Sequence, residues 1–449
     1  MTPESLILTK FGVRVPLSMI SEELKKKIET DLIVSPIQTD YDFQQIKYKI
    51  YFESKNHIYV PRFYFPYFTN EIKSGVQIQI KFEGILKEET HQVVSSAKVI
   101  ESLRTRSGCI LCLPTGYGKT TVALHVLSCM GTKTLIVVHK EFLLNQWVEK
   151  IKQFLPTARI GRIQGSHVDV DDKDIVMGML QSLSMRDYDP SVFHGFGLTI
   201  FDETHHVCTR TFSKVFSKFN TPFVLGLSAT IERKDGLTKI LHLFLGDVGY
   251  STKRQNQVNV KVKTITYVPV GPFPITKQNK PNMSEAITSL TTMDSRNALI
   301  LEIVKGIDIE RKLLLLTDRR EHCFALSRVL GESLGEERIG LYMGGMKQDE
   351  LKNSESKSII IGTFSLAHEG LDIPALDSIL LATPKSNIIQ AVGRILRETT
   401  GKQFNPFIID IVDMWGPFVY QFKKRKSYYI DTGFTINDHQ KNLLLFHEE

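Results

Sequence analysis

From about residue 90 the chain alternates short apolar runs with amphipathic stretches, and this alternation limits its fold more than any other feature. "TLIVVHK", "DIVMGML", "LTIFDE" and "FVLGLSAT" read as buried strands, and "EFLLNQWVEKIKQFL" among them reads as a helix. Strands and helices that take turns imply βαβ units and a mainly parallel sheet. The pattern breaks over residues 256–290, where "PVGPFPITKQNKPNMS" is polar and proline-rich, so this stretch is expected to be an interdomain connection with a short strand in "NVKVKTITYVPV". Alternation resumes in "KLLLLTD", "SIIIGTF", "SILLATP" and "FIIDIVD", giving a second α/β domain over 291–449. Residues 1–85 differ in kind: a charged helix-like "SEELKKKIETDL" and an alternating aromatic "YKIYFESKNHIYVPRFYFPYFT" suggest a small α+β accessory module. The expected fold class is therefore α/β, with tandem mainly parallel domains at 86–255 and 291–449 behind that module. A length of 449 residues fits this division.

Within the first α/β domain, "LCLPTGYGKTT" places a strand, a glycine turn and a basic helix start in succession. That order suits a phosphate. Backbone N–H groups of the turn close around the oxygens, the helix N-terminus adds positive dipole, Lys119 reaches the terminal phosphates and the Thr120 hydroxyl is a Mg²⁺ ligand. Thr115, Gly116, Gly118 and Thr121 complete the expected phosphate cradle. The strict pattern wants glycine five residues before Gly118, where Leu113 stands. "LTIFDETHHV" ends a strand in Asp202 and Glu203, and a parallel sheet gathers its ligand groups at the C-terminal ends of its strands. Lys119 and Asp202 would then share a crevice, with Asp202 holding Mg²⁺ and Glu203 deprotonating the attacking water. An Asp-Glu pair alone could equally cap a helix. His205 and His206 lack the further ligands a metal centre needs, and His205 is read instead as coupled to the nucleotide state.

Composition narrows the remaining classes. A basic leader and a run of about 18 apolar residues are both missing, so the expectation is an intracellular protein, cytoplasmic or nuclear, with no membrane partner. Five cysteines are too few and too scattered for a disulfide framework, and Cys109 and Cys112, though spaced CxxC, lie in an apolar strand and read as small core residues. The net charge of +7 permits a polyanionic partner. Its densest basic run, Lys423 to Lys426, reads equally as a solvated helix face or a nucleic-acid contact. Around Arg62, the aromatics Tyr59, Phe63, Tyr64, Phe65, Tyr67 and Phe68 read either as core or as a surface for stacked bases.

"LPTGYGKT", "DETH", "LSAT" and "QAVGRILR", in this order, resemble motifs I, II, III and VI of the superfamily 2 helicases of DExH type. "LGLSATIERKDGL" is similar to the XPB-like branch, which includes phage UvsW and the transcript-release DNA helicases of large DNA viruses. The resemblance spans about residues 86–415 and implies two RecA-like domains, ATP and Mg²⁺ as cofactors, and a viral setting such as a viral factory or virion. Carried over residue by residue, it makes Gln92 of "ETHQ" an adenine reader, although "LKEETHQ" departs from the usual surroundings. It makes Ser228 and Thr230 the link between hydrolysis and strand binding. In the second domain it puts Gly370, Asp372 and Gln390 beside the nucleotide. Arg394 and Arg397 become γ-phosphate clamps, the planar fork suiting that role. Lys140, Gln181, Ser182 and Thr363 become nucleic-acid contacts. Arg233, Lys234 and Asp235 stand where the XPB-like branch has Arg-Glu-Asp. The implied partner is DNA, single-stranded, duplex or branched, together with transcription or replication proteins. An RNA-directed helicase, with RNA or a DNA–RNA hybrid as partner, and a restriction or nuclease motor are the alternatives.

Overall fold

The computed structural model describes the chain except residues 1–5, 36–46, 73, 208, 210, 231–235, 254–258, 370, 372, 397–402 and 440–449. The chain divides into two units, Met1–Lys253 and Arg254–Glu449.

Unit one is built on an eight-stranded sheet. Its order is His167–Asp169, Ile160–Gln164, Ile175–Met179, Thr134–Val138, Leu198–Phe201, Phe223–Ser228, Gly108–Cys112 and Val248–Ser251. All neighbours pair in parallel apart from the first two, which form a hairpin. Every residue of Gly108–Cys112, Thr134–Val138 and Ile175–Met179 is buried, as a sheet covered on both faces requires. Along Thr134–Val138, Ile136 and Val138 face Val126, Leu127, Leu144 and Ile151, whereas Leu135 and Val137 face Leu180, Leu183 and Leu241. Alternate side chains thus feed two separate cores. Cys109 and Cys112 lie in this interior, where burial pushes the Cys109 thiol up to about 12 and raises that of Cys112.

The N-terminal module is a five-stranded sheet ordered Phe52–Glu53, His57–Val60, Gly12–Pro16, Ile7–Thr9 and Thr69–Asn70. The helix Glu22–Leu32, capped by the Ser21 hydroxyl, shares its core through Ile28 and Leu32. Arg62 is buried there and donates to the carbonyls of Thr221, at 2.7 Å, and Pro222, fastening the module to the large sheet's end. Tyr64, Phe65 and Phe68 pack against the module's core. Of the two readings of this aromatic stretch, Arg62 and these three rings take the core one. The attachment also starts before residue 86. Val76 donates to the Gly195 carbonyl, Ile78 to Gly131 and Glu83 to Phe154, so the backbone from 76 already runs along the first α/β domain.

Unit two carries seven parallel strands in the order Ile339–Tyr342, Ile359–Thr363, Leu313–Thr317, Ser378–Leu381, Phe407–Asp413, Lys261–Tyr267 and Thr435–His439. The short strand expected within 256–290 is Lys261–Tyr267, and it is an integral strand of this sheet. Its partners, Phe407–Asp413 and Thr435–His439, come from the far end of the chain, and no local pattern could announce that pairing.

Two buried ion pairs hang from strand Phe407–Asp413. Arg296 binds Asp413 through Nε at 2.7 Å and Nη2 at 3.0 Å, and Arg425 binds Asp410 through two 2.8 Å bonds. Their remaining nitrogens donate to the Ala382 and Lys385 carbonyls, so both pairs hold the turn after strand Ser378–Leu381. Arg425 therefore leaves the basic run of the helix Gly416–Asp431, where Lys423 and Lys424 are exposed and Arg425 is not. Replacing Arg425 by Met strands a buried carboxylate and is expected to cost about 3 kcal/mol or more. Lys424→Ala should stay within about 0.5 kcal/mol of wild type. Denaturant unfolding of the two variants checks both values.

Candidate nucleotide-binding site

Strand Gly108–Cys112 runs into Leu113 and Pro114 and turns through Gly116 at φ 89° and Gly118 at φ 79° into the helix Lys119–Met130. Both glycines occupy the left-handed region that other residues avoid. Gly118 is constrained twice over, because a Cβ on it would lie 2.5 Å from the Gln92 amide nitrogen. No side chain caps this helix, which leaves its first-turn N–H groups aimed at whatever fills the loop. Thr120 and Thr121 are half-buried in that first turn. The Lys119 ammonium folds back and donates to the Leu113 carbonyl at 3.2 Å.

Gln92 sits against this loop. Its Nε2 donates to the Tyr117 carbonyl at 3.1 Å and its Oε1 accepts the Lys87 N–H at 3.0 Å. Both ends of the amide are thus bonded to backbone, which clamps the glycine turn.

Asp202 and Glu203 follow strand Leu198–Phe201, two strands across from the glycine turn. Asp202 accepts the Glu203 N–H at 3.0 Å and the Trp147 indole N–H at 2.8 Å. Burial, and next the neighbouring Glu203 charge, raise its pKa to about 6, against the opposing pull of the Trp147 bond and the Lys119 charge. Glu203 has a left-handed backbone, φ 46° and ψ 59°, a strain that non-glycine residues carry mainly at functional sites. Its Oε2 lies 3.4 Å from His205 Nδ1. His206 stacks on His139 with ring centroids 3.8 Å apart, and His139 follows the neighbouring strand Thr134–Val138. Lys119, Asp202, Glu203 and His205 thus gather at one sheet edge. Ser228, at the end of strand Phe223–Ser228, binds the backbone of Thr230 through its hydroxyl, and its carbonyl accepts the Leu113 N–H at 3.2 Å.

The strand-contact candidates divide differently. Gln181 donates its amide to the His139 carbonyl and Ser182 accepts the Gly165 N–H at 2.9 Å, so both side chains brace neighbouring loops. Lys140 lies 5.9 Å from the Phe142 ring. In unit two, Thr363 borders a cavity of about 350 Å³ whose other walls include Asp318, Arg320, Ser365 and Lys385. Arg394 is buried and donates to the Leu371 carbonyl at 2.9 Å, so at least one of its nitrogens holds its own unit together. Gln390 is half-buried on the helix Ile389–Ile395. Gly370, Asp372 and Arg397 lie outside the described residues, as do Arg233, Lys234 and Asp235. Trp147 escaped the sequence reading because its spacing from Leu143, Leu144 and Ile151 explains it fully as core. The available signal was its indole N–H, which needs a partner once buried.

Comparison with known proteins places this arrangement. A mimivirus protein of Acanthamoeba polyphaga, whose name is that of an ATP-dependent RNA helicase, is 33% identical over 96% of this chain and 86% of its own length. The chain belongs to the superfamily 2 helicases. Residues 85–233 match the family model described as type III restriction enzyme, res subunit. Helicase 161L of invertebrate iridescent virus 6 is 25% identical over 81% of this chain and 85% of its own. Among solved structures, a fragment of an HsdR subunit of a type I restriction enzyme from Vibrio vulnificus YJ016 aligns with 80% of this chain and 69% of its own, at TM-score 0.56 and 15% identity. That likeness supports the RecA-like fold of this helicase.

Helicases of this family use ATP, and the residues present suit a magnesium-bound triphosphate. The loop offers first-turn N–H groups, an ammonium and the Thr120 hydroxyl, and the Asp202 carboxylate completes an all-oxygen donor pair. Among the described residues no group of three or more His, Cys, Asp or Glu could hold a metal alone. Mg²⁺ bound with nucleotide needs none, since it keeps waters and phosphate oxygens beside one or two protein ligands. Because the Asp202 pKa is raised, the carboxylate takes up a proton as pH falls through about 6, and the protonated form does not hold a cation. Magnesium-dependent nucleotide affinity should therefore drop by about tenfold per pH unit below that point. Titrations between pH 5 and 8 check this, and an affinity unchanged at pH 5 would remove Asp202 from the metal.

Proposed function

We propose that this helicase is an ATP-hydrolysing motor that translocates on, or unwinds, DNA in viral transcript release or in replication and recombination. The observation that carries the reading is the convergence of Lys119, Asp202 and Glu203 at one edge of a parallel sheet. The first-turn N–H groups hold the phosphates. Lys119 exchanges the Leu113 carbonyl for the terminal phosphate oxygens, Thr120 and Asp202 hold Mg²⁺, and Glu203 takes a proton from the attacking water. Mg²⁺, when bound, neutralises charge that develops on the transferred phosphoryl group. Arg394 and Arg397 are the proposed γ-phosphate clamps, on the resemblance of "QAVGRILR" to motif VI. Ser228, Thr230 and His205 are the proposed couplers between hydrolysis and strand grip.

For the nucleic acid, the cavity bordered by Thr363, Ser365 and Arg320 offers hydroxyls and a guanidinium beside the Lys385–Asp318 ion pair, which fits backbone contact. DNA is preferred on the XPB-like sequence around Ser228. The RNA reading is supported by the names of the mimivirus protein and of an African swine fever virus protein, 26% identical over 72% of this chain, both called RNA helicases. The restriction names in the comparisons belong to proteins matched in one domain or in fold, and the sequence offers no carboxylate-lysine nuclease cluster.

Steady-state ATP hydrolysis with no nucleic acid, single-stranded, duplex and branched DNA, and single-stranded RNA separates these readings, at two salt concentrations because phosphate contacts weaken with salt. Stimulation by DNA over RNA is expected. RNA-only stimulation would replace DNA with RNA in the proposal, and DNA cleavage would revive the nuclease motor. Lys119→Ala and Glu203→Gln should each lower turnover by at least about a hundredfold, with Glu203→Gln still binding ATP. Normal hydrolysis by Glu203→Gln would overturn the base assignment.

A further inference from the structure

Each carboxylate oxygen of Asp202 has its own donor. Oδ1 takes the N–H of the next residue, Glu203, at 3.0 Å, a bond any short turn can supply. Oδ2 takes the indole N–H of Trp147 at 2.8 Å, from the helix Glu141–Phe154, 55 residues earlier in the chain. Trp147 is 2% exposed, and the other buried residues of that helix, Leu143, Leu144 and Ile151, bring no polar atom with them. A position needing bulk alone is filled by Leu or Phe without a donor that must be satisfied inside the protein. The indole donates and never accepts, and here its partner is a carboxylate oxygen, whereas Trp415 donates to the Gly271 backbone carbonyl.

We propose that Trp147 is a positioning residue for the magnesium carboxylate: its indole N–H, acting with the Glu203 N–H, fixes the rotation of the Asp202 side chain and so presents the carboxylate in one orientation to Mg²⁺ held with a nucleotide. This rests on the reading of Asp202 as the carboxylate that holds Mg²⁺. Groups that orient a metal's ligands typically contribute ten- to a hundredfold to metal affinity, and a single strong bond to one of two ligand oxygens belongs to that class. Trp147 itself touches neither nucleotide nor metal in this role. It acts through Asp202.

Trp147→Phe keeps the ring and removes the donor. Binding of a fluorescent ADP analogue to the full-length variant, followed across Mg²⁺ concentrations and in EDTA, reads the role directly. The Mg²⁺ concentration at half-effect should rise about tenfold or more, while binding in EDTA stays as in wild type. An unshifted Mg²⁺ midpoint, with or without loss of thermal stability, would reduce Trp147 to packing and overturn the proposal. A second measurement does not depend on how well that variant folds. The chain has two tryptophans, so Trp415→Phe leaves Trp147 as the sole emitter. Its fluorescence should change when Mg²⁺ is added in the presence of ADP, and Asp202→Ala should abolish the change; a silent Trp147 would overturn the proposal. Wild type serves as the control on the underlying reading. If it binds the analogue with no dependence on Mg²⁺, the nucleotide-site reading itself fails. If it shows the dependence and Trp147→Phe matches it, only the role of Trp147 is lost.

Discussion

A parallel sheet buried on both faces must send each return connection over one of those faces, so the loops leaving its strands all emerge at the same edge. The chemistry of this protein depends on that constraint. Lys119 follows Gly108–Cys112, His139 follows Thr134–Val138, Gln181 follows Ile175–Met179, Asp202 follows Leu198–Phe201 and Thr230 follows Phe223–Ser228. Unit two repeats the arrangement: Asp318, Gly344, Phe364 and Lys385 each come shortly after a different strand and border one cavity. Residues scattered over a hundred positions in sequence need no individual targeting. The sheet brings them together because each ends a strand.

The edge is also where the fold tolerates unfavourable features. Glu203 holds a left-handed backbone, Gly116 and Gly118 hold positive φ, and Asp202 is a carboxyl that burial pushes up to about 6. The glycines take positive φ without strain, but the Glu203 backbone and the buried Asp202 carboxyl are each a local cost of about 1–3 kcal/mol that persists only where the surroundings leave no alternative. The surroundings here are fully buried strands such as Gly108–Cys112 and Thr134–Val138, together with Gln92, whose amide fills the space beside Gly118. In unit two the same function falls to Arg296 and Arg425. Their aspartate pairs are fully enclosed, and each spends a further nitrogen on the turn from Ala382 to Lys385. Buried pairs of this kind add little net stability, but they fix a geometry, and the one fixed here supports Lys385 beside Thr363.

What the sequence disclosed follows from how far each signal reaches along the chain. The strands around Lys119 and Asp202 were legible because apolar runs of four to six residues ending in turn chemistry are local facts. Lys261–Tyr267 was legible as a strand, but its place in the second sheet was not, since its strand neighbours begin at Phe407 and Thr435. The basic run hid Arg425 for a similar reason: charge density along a helix says nothing about an aspartate on the strand before it. Arg62 and Gln92 were visible as residues but their backbone partners were not, because backbone carbonyls and N–H groups carry no sequence signature. The site's residue types were thus largely readable. Its supporting bonds, those of Gln92 and Trp147, depend on tertiary placement and became readable only in three dimensions.

A further backbone bond joins two parts of the site. Leu113 has no functional side chain, yet its carbonyl holds the Lys119 ammonium at 3.2 Å and its N–H donates to the Ser228 carbonyl, also at 3.2 Å. The Ser228 hydroxyl in turn binds the Thr230 backbone. A single peptide segment therefore joins the phosphate-seeking lysine to the strand end that carries Ser228 and Thr230. On the proposed reading, a bound triphosphate would compete for the same ammonium with several anionic oxygens against one neutral carbonyl, adding ion-pair attraction that the carbonyl cannot offer. The lysine would then leave Leu113, and the carbonyl would need another donor or water. Nucleotide occupancy would in this way reach the backbone of the segment that leads to Ser228.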